Sequence, residues 1–452
     1  MTTSDSGGLS RDDLGALFRT PFPVVEKVGL EVECGVVDPV TGLGAPYAGQ
    51  RGTEALLRAL LREFGGEPLS EAGHLVGVRR ADRVELSLEH GGAIEYGSAP
   101  SADLTGAIED MRTTLEHVAD IARGLDLAIL PGGNLPFDRV ERARWVPKPR
   151  GALMREFFAG LGDDGALGPT VMALAVSTQT TLDYLDEDDL ARKLRMQVAA
   201  SPVVAALFVN SPLAGGEHAG LLSHRSHAWL RTDPRRCGVL PVALRPDLRV
   251  DDLVEWALDL PMIYRKAPGG EYERAPSRPF AALLEDGFDD GAKPTPEDWV
   301  SHLSQVWTDV RVRRTLELRA ADGPPYPHIP ALPALWTGLT YHPGSCAAAT
   351  ELLGGHRAAE HRAAERELPV KGLDTRLGGD RVRELAAELV RLAGAGLRAR
   401  VDAGLERPAV LDLLQPVEEV LATGETFAHR ALRRWEGEFD RDPARYVAAY
   451  RV

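Results

Sequence analysis

The chain predicts a mixed α+β domain on three observations. Strand-like stretches at 28–36, 84–96 and 312–319 alternate apolar and polar residues, and each carries carboxylates on its polar face. Amphipathic helical patterns fill the intervals, as in TEALLRALLREF at 53–64. The three acidic stretches also span most of the chain, with no linker, repeat or low-complexity segment between them. That argues for one intertwined unit rather than domains in series. A polar tail at 1–20 followed by a single domain over 21–452 is therefore expected.

Composition narrows the class. With 452 residues, 44% hydrophobic and 26% charged, the chain can bury a large core. A net charge of −15 argues against a nucleic-acid-binding surface, which would want a basic stripe. Local arginines can still hold an anionic nucleotide. Cys34, Cys237 and Cys346 are widely spaced, form no metal motif or disulfide framework, and fit a reducing, cytoplasmic setting. The N-terminus has no signal-peptide pattern, and no apolar run is long enough for a membrane span.

The elements follow in order. In the strand expected over 24–37, Val28, Leu30, Val32, Cys34 and Val36 alternate with Gly29, Glu31, Glu33 and Gly35. Period two puts Glu31 and Glu33 on one face, roughly 7 Å apart. After the helix at 53–64, residues 74–96 read as paired strands. Val84, Leu86 and Leu88 alternate with Glu85, Ser87 and Glu89; Gly91–Gly92 makes the turn; Ile94 and Tyr96 alternate with Ala93 and Glu95. A helix follows from Ser101, then a short strand at 128–130 ending in a glycine-rich turn, then an irregular stretch at 138–151. Residues 171–184 read as a strand with Ser177, Gln179, Thr181 and Asp183 on one face. Helices are expected at 188–207, near 250–258 and from 380 onward, and a third acidic strand at 311–322 with Glu317 and Arg319 on one face.

Carboxylates brought together repel, so either one keeps its proton or a cation sits between them. Hard oxygen donors of this kind suit Mg²⁺ or Mn²⁺. The alternative is a solvated acidic edge; two distant strands with the same paired design favour the metal. No phosphate loop, dinucleotide fingerprint or HExxH motif occurs. His224 and His227 read as hydrogen-bonding residues, with metal ligation or a base as the alternative. Arg225 can grip a carboxylate bidentately or make a surface ion pair. Trp229 reads as a pocket wall or a core residue. Glu317 and Arg319 read as a metal ligand beside a phosphoryl-holding cation, or as an in-strand ion pair. Several carboxylates and arginines without a phosphate loop suggest a nucleotide bound mainly through metal ions.

Five collinear motifs complete the picture: GLEVE at 29–33, SLEHGGAIEYGSAP at 87–100, ALFVNSP at 206–212 with LLSHRSHAW at 221–229, RTLELRAADGPP at 314–325, and PALPALWTGL at 330–339. Together they resemble the plant-type glutamate–cysteine ligases, including the bacterial ergothioneine-pathway branch. The resemblance implies a glutamine-synthetase-like fold, a curved and mainly antiparallel sheet with outer helices. It implies ATP-dependent joining of L-glutamate to an amino acid through γ-glutamyl phosphate, with cysteine the default acceptor and another amino acid the alternative. A non-catalytic glutamate- or nucleotide-binding relative and an amide hydrolase are the rivals from other classes. Carried over by position, Glu31, Glu33, Glu89, Glu95 and Glu317 are the metal-binding carboxylates. Arg319 and Glu317 serve catalysis, and Gln179 and Arg314 serve the nucleotide and its metals. Arg225, Trp229, Arg150, Gly151 and Thr181 face the substrates. Small-molecule partners only, a monomer or homodimer, and Mg²⁺ with ATP are expected. The family commonly has tyrosine at the place of Gly151, asparagine at Thr181 and proline at His90. If both Gly151 and Thr181 line the acceptor pocket, it is roomier and less polar than in a cysteine ligase.

Overall fold

The computed structural model describes residues 9–19, 22–267 and 269–452. Its centre is a nine-stranded sheet. The strands are β1 (Val28–Val37), β2 (Glu67–Glu71), β3 (His74–Arg79), β4 (Glu85–Leu88), β5 (Ile94–Gly97), β6 (Ala128–Pro131), β7 (Thr178–Leu182), β8 (Val310–Val312) and β9 (Leu316–Leu318). They run in the order β8-β9-β7-β1-β5-β4-β3-β2, with β6 pairing the C-terminal end of β1, and every pairing is antiparallel. The sheet does not close, so the mainly antiparallel expectation holds as an open sheet.

Alternation along each strand decides the two faces. Val28, Leu30, Val32 and Cys34 of β1, Leu86 and Leu88 of β4, and Ile94 and Tyr96 of β5 point into one core. Helices Thr53–Phe64, Leu104–Arg123, Glu187–Leu207 and Ala331–Thr340 pack around it. Fully burying one such aliphatic side chain is worth about 1.5–3 kcal/mol, so this face holds the register of the whole sheet. Cys34 is one of these packing residues, as its place in the pattern implied.

Several segments depart from the pattern. Residues 171–174 are the end of a helix, Gly168–Leu174, with Pro169 in its first turn; only 178–182 is strand. A continuous apolar run does not distinguish the two states, and the proline decides for the helix. The third acidic stretch is a hairpin, β8 and β9 joined at 313–315, so Arg311 stands opposite Glu317. The irregular stretch gives way at Pro149 to a helix, Pro149–Gly160. Of the expected tail, residues 1–8 and 20 lie outside the described residues. Residues Arg11–Arg19 form a helix whose Leu14 and Phe18 are buried, and Trp299 Nε1 donates to the Leu14 carbonyl at 3.2 Å. The folded body therefore starts before residue 21.

The glycine pair does two different jobs. Gly92 has φ +90° and makes the turn that returns β4 into β5. Gly91 lies against the helix Gly168–Leu174, where a Cβ would stand 1.9 Å from the Ala173 carbonyl oxygen. Backbone cannot yield as a side chain can. Gly91→Ala is expected to cost about 3 kcal/mol, the upper end of overpacking, whereas Ala93→Gly should cost about 1 kcal/mol. Chemical denaturation of both variants checks the contrast.

Candidate active site

The strand register assembles the polar face. Glu33 stands opposite Glu95 across the β1–β5 pairing, and Glu31 opposite Gln179 across β1–β7. Ser87 faces Glu95 from β4, and Thr181 sits between Gly29 and Glu317. Period two then puts Glu31, Glu33, Glu95, Gln179, Thr181, Glu317 and Arg311 on one side of the sheet. One carboxylate oxygen from each of Glu31, Glu33 and Glu95 lies within 4.8 Å of the others.

The crowding appears in the protonation of these groups. Burial, then Glu317 and Glu33, push the Glu31 carboxyl up to about 8. Burial and Glu89 push Glu33 up to about 7. Burial and all three neighbouring carboxylates raise Glu95 well above its usual range. Two hydrogen bonds steady Glu33: Ser177 Oγ and Gln179 Nε2 both donate to it at 3.1 Å.

The other two glutamates are held by cations of the chain. Glu317 accepts from Arg311 Nη2 at 2.7 Å, from Arg313 Nη2 at 2.9 Å, and from Arg319. Burial alone would raise its carboxyl, but Arg311, Arg319 and Arg313 hold it far below the carboxylate range. Burial likewise opposes ionisation of Glu89, and Lys148 foremost overcomes it. Glu89 and Glu317 thus flank the three converging oxygens, each with its own cation. Arg319 also donates to Gln179 Oε1, which ties it to the strand beside Glu31.

A cavity of about 270 Å³ opens over the Glu33 end of this face. Glu33, Glu89, Arg150, Arg225, Trp229 and Arg319 line it, with Tyr264 and Trp307 as aromatic walls. Arg225 is buried; its Nη2 donates to the Arg319 carbonyl at 2.7 Å and its Nη1 to the Ala320 carbonyl at 3.3 Å. A guanidinium has five N–H donors, so others remain for a ligand. Arg150 Nε is buried without a hydrogen-bond partner among the described residues.

Three expected substrate or nucleotide positions separate. Thr181 does not line this cavity; its side chain lies against Gly29, where a Cβ would be 3.3 Å from Thr181 Cβ. Gly151 does not leave a void: a Cβ there would stand 2.8 Å from His90 Nδ1, because the imidazole occupies that place. The pocket is therefore not emptied at Gly151 but refilled by a polar ring, which corrects the roomier-pocket expectation. Burial, with Lys148 and Arg150 nearby, pushes His90 down to about 3, so the ring is neutral at neutral pH. Arg314 is exposed in a groove beside Leu17 and Lys293, away from the acids. The hairpin gives Arg311 and Arg313 the acid-facing parity and Arg314 the opposite one. The alternation in RVRR at 311–314 was the available signal for this pair. Neither His224 nor His227 lines the cavity.

Asp322, in the RTLELRAADGPP segment, was not singled out from sequence and holds three motifs together. Its carboxylate accepts from Asn210 N at 2.8 Å, Ser211 Oγ at 2.7 Å and Ser223 Oγ at 3.0 Å. Ser223 caps the helix His224–Trp229, which carries Arg225 and Trp229. Gly133 packs onto the same knot, where a Cβ would meet Asp322 Cγ at 2.6 Å. Its role is close approach rather than a left-handed turn.

Residues 27–445 match the glutamate–cysteine ligase family 2 (GCS2). The chain is similar to the chloroplastic glutamate–cysteine ligase of Arabidopsis thaliana, at 33% identity over 388 residues, covering 85% of this chain and 72% of that one. Chloroplastic glutamate–cysteine ligase B of Oryza sativa subsp. japonica is 31% identical over 390 residues, covering 85% and 76%. Among solved structures, glutamate–cysteine ligase from Francisella tularensis, in complex with AMP, superposes with TM-score 0.53 at 11% identity, covering 95% of this chain and 89% of that one. A bifunctional glutathione synthetase from Pasteurella multocida gives TM-score 0.52 at 13% identity, covering 97% of this chain and 53% of that one. No helix among the described residues is long and apolar enough to cross a membrane. The chain belongs to glutamate–cysteine ligase family 2 and is a carboxylate–amine ligase.

Proposed function

We propose that the protein joins the γ-carboxylate of L-glutamate to the amine of an amino acid, cysteine by default, with ATP converted to ADP and phosphate through γ-glutamyl phosphate. The observation that carries this reading is three converging carboxylates, Glu31, Glu33 and Glu95, beside three converging guanidiniums, Arg311, Arg313 and Arg319. The names of the plant relatives support the substrates, and the AMP complex of the Francisella enzyme supports an adenine nucleotide.

The carboxylate trio fits Mg²⁺ or Mn²⁺: its donors are hard oxygens, and burial with mutual repulsion raises their proton affinity further than Arg319, Arg311, Arg225 and Lys148 lower it. Glu31, Glu33 and Glu95 would hold the ion, with Glu89 at the edge. Such an ion neutralises phosphate oxygens and so lowers the cost of bringing a carboxylate to ATP. The chain supplies the rest. Arg319, steadied by Gln179, orients the phosphoryl group, with Arg311 and Arg313 carrying further positive charge beside Glu317. Arg225 and Arg150 take the carboxylate of glutamate in forked hydrogen bonds. Trp229, Trp307 and Tyr264 wall off water from an acyl phosphate that water would hydrolyse.

A different acceptor is the second reading, and His90 is the observation that favours it. Its neutral imidazole presents polar ring edges in the cavity where the family commonly has a tyrosine and a proline.

Arg225→Lys should raise KM for glutamate about tenfold to a hundredfold, because a point charge cannot replace the fork at about 1.5–3 kcal/mol per charged hydrogen bond. Steady-state ADP release checks this, and an unchanged KM removes Arg225 from the substrate.

The raised carboxyls predict how metal and pH interact. From about pH 4.5 to 8 the folded, metal-free chain keeps protons on Glu31 and Glu33 that the unfolded chain releases. These groups therefore cost stability as pH rises through that window, and a cation that displaces the protons restores it. Mg²⁺ should raise Tm more at pH 8 than at pH 6 and should release protons on binding at pH 7. Scanning calorimetry at both pH values checks the first, and equal shifts would refute proton displacement.

The acceptor is tested by competition, with cysteine and small polar amino acids at equal concentration and γ-glutamyl products resolved by mass. At least one non-cysteine product should form about as readily as γ-glutamylcysteine. His90→Ala should then move the ratio about tenfold or more toward the bulkier acceptor, the scale of one methylene in a pocket. A ratio unmoved by His90→Ala takes His90 out of the acceptor site.

A further inference from the structure

A second cavity, of about 530 Å³, adjoins the first. None of the five glutamates of the acidic face lines it. It shares Arg225, Trp229, Trp307 and Arg319 with the acid chamber, so those four side chains form the partition. The parallel bridge between Cys237–Gly238 and Trp307–Thr308 builds its wall.

The cavity has a carboxyl pair on one wall and arginines at its rim. On its wall Asp309 and Glu365 face one another, and burial and then Asp309 raise the Glu365 carboxyl well above its usual range. Glu365 Oε1 is buried and has no hydrogen-bond partner among the described residues. Gly238, at φ +75°, makes room for this carboxyl: a Cβ there would stand 3.1 Å from Glu365 Oε1. Arg231, Arg362 and Arg366 also line the cavity and are exposed, and none makes an ion pair with another described residue. The Trp229 and Trp307 rings lie between, their centroids 6.3 Å apart at 33°.

A polyanion such as a nucleotide would meet the acidic wall, and a purely apolar ligand would leave Glu365 Oε1 and the rim arginines unpaired. A small zwitterion satisfies all three parts. We propose that this cavity binds an amino-acid zwitterion, its ammonium on Asp309 and Glu365, its carboxylate on the arginine rim and its side chain against the two indoles. The chemistry has two sources in the reaction, the free acceptor amino acid and the γ-glutamyl dipeptide product. The choice of these probes rests on the ligase reading; the charge pattern of the cavity does not. An occupant would touch the back of Arg225 and Arg319, so its binding and that of glutamate are reciprocally coupled.

Titration calorimetry of the full chain with L-cysteine, and separately with γ-glutamylcysteine, tests the site. Two variants are compared with the wild type: Arg362→Glu with Arg366→Glu, both exposed and expected to keep the wild-type Tm, and Glu365→Gln. At least one probe should bind the wild type and bind each variant tenfold or more weakly, and the tighter probe identifies the source. Binding that is unchanged in either variant, or no binding of either probe, overturns the proposal. Glutamate-dependent ADP release by the wild type is measured alongside. Its absence sinks the ligase reading, whereas an active enzyme with variant-insensitive binding sinks only the second site.

Discussion

Carboxylates crowded onto one face of a sheet repel, and the rest of this structure answers that repulsion. Glu31, Glu33 and Glu95 are forced together by strand register, which the apolar face behind them enforces. A slip of one residue would bury the acids and expose Val28, Leu30 and Val32, so the core that stabilises the fold is also what keeps the acids in place. The chain neutralises only part of this charge. Three arginines serve Glu317 and Lys148 serves Glu89, while the central trio is left with raised proton affinity. An acidic cluster so placed stores electrostatic free energy that a bound cation can release.

The cations are arranged with equal economy. Arg311 and Arg313 come from a hairpin, Arg319 from just beyond it, and Arg225 from a short helix remote in sequence. Asp322 couples the last two, since it lies three residues after Arg319 and accepts from the residue that caps the Arg225 helix. Arg225 in turn donates to the carbonyls of Arg319 and Ala320. Arg225 and Arg319 therefore share one support, and in the proposed reaction that would hold the substrate-binding and phosphoryl-orienting charges at fixed separation. The same support walls the second cavity, so ligand occupancy there is poised to be felt at the first.

His90 and Gly151 are two positions that depend on one another. The glycine admits the imidazole, and the imidazole replaces the missing side chain. Each substitution read alone suggests a void; read together they describe a neutral polar wall. Under the proposed reading that distinction bears on acceptor choice, because a polar edge selects for ligands that can pair with it.

The alternation of Glu31, Glu33, Glu89, Glu95 and Glu317 with apolar neighbours was legible along the chain, because side-chain direction in a strand is a local property of the backbone. The helices at 53–64 and 250–258 were legible for the same reason, their apolar spacing being a local periodicity. By itself the sequence determined the open antiparallel sheet's acidic strands, the buried Cys34 and, through five collinear motifs, the family. It did not show that Glu317 is held apart from the three converging carboxylates, because the three guanidiniums that hold it converge only when β8 folds back on β9. Nor did it reveal that His90 fills the place at Gly151, that Thr181 lies outside that cavity, or that Asp322 joins three motifs. Those are contacts between segments far apart in the chain, as in the Asp322 bonds to Asn210, Ser211 and Ser223. Local pattern sets which way a side chain points; only packing of distant segments decides what it meets.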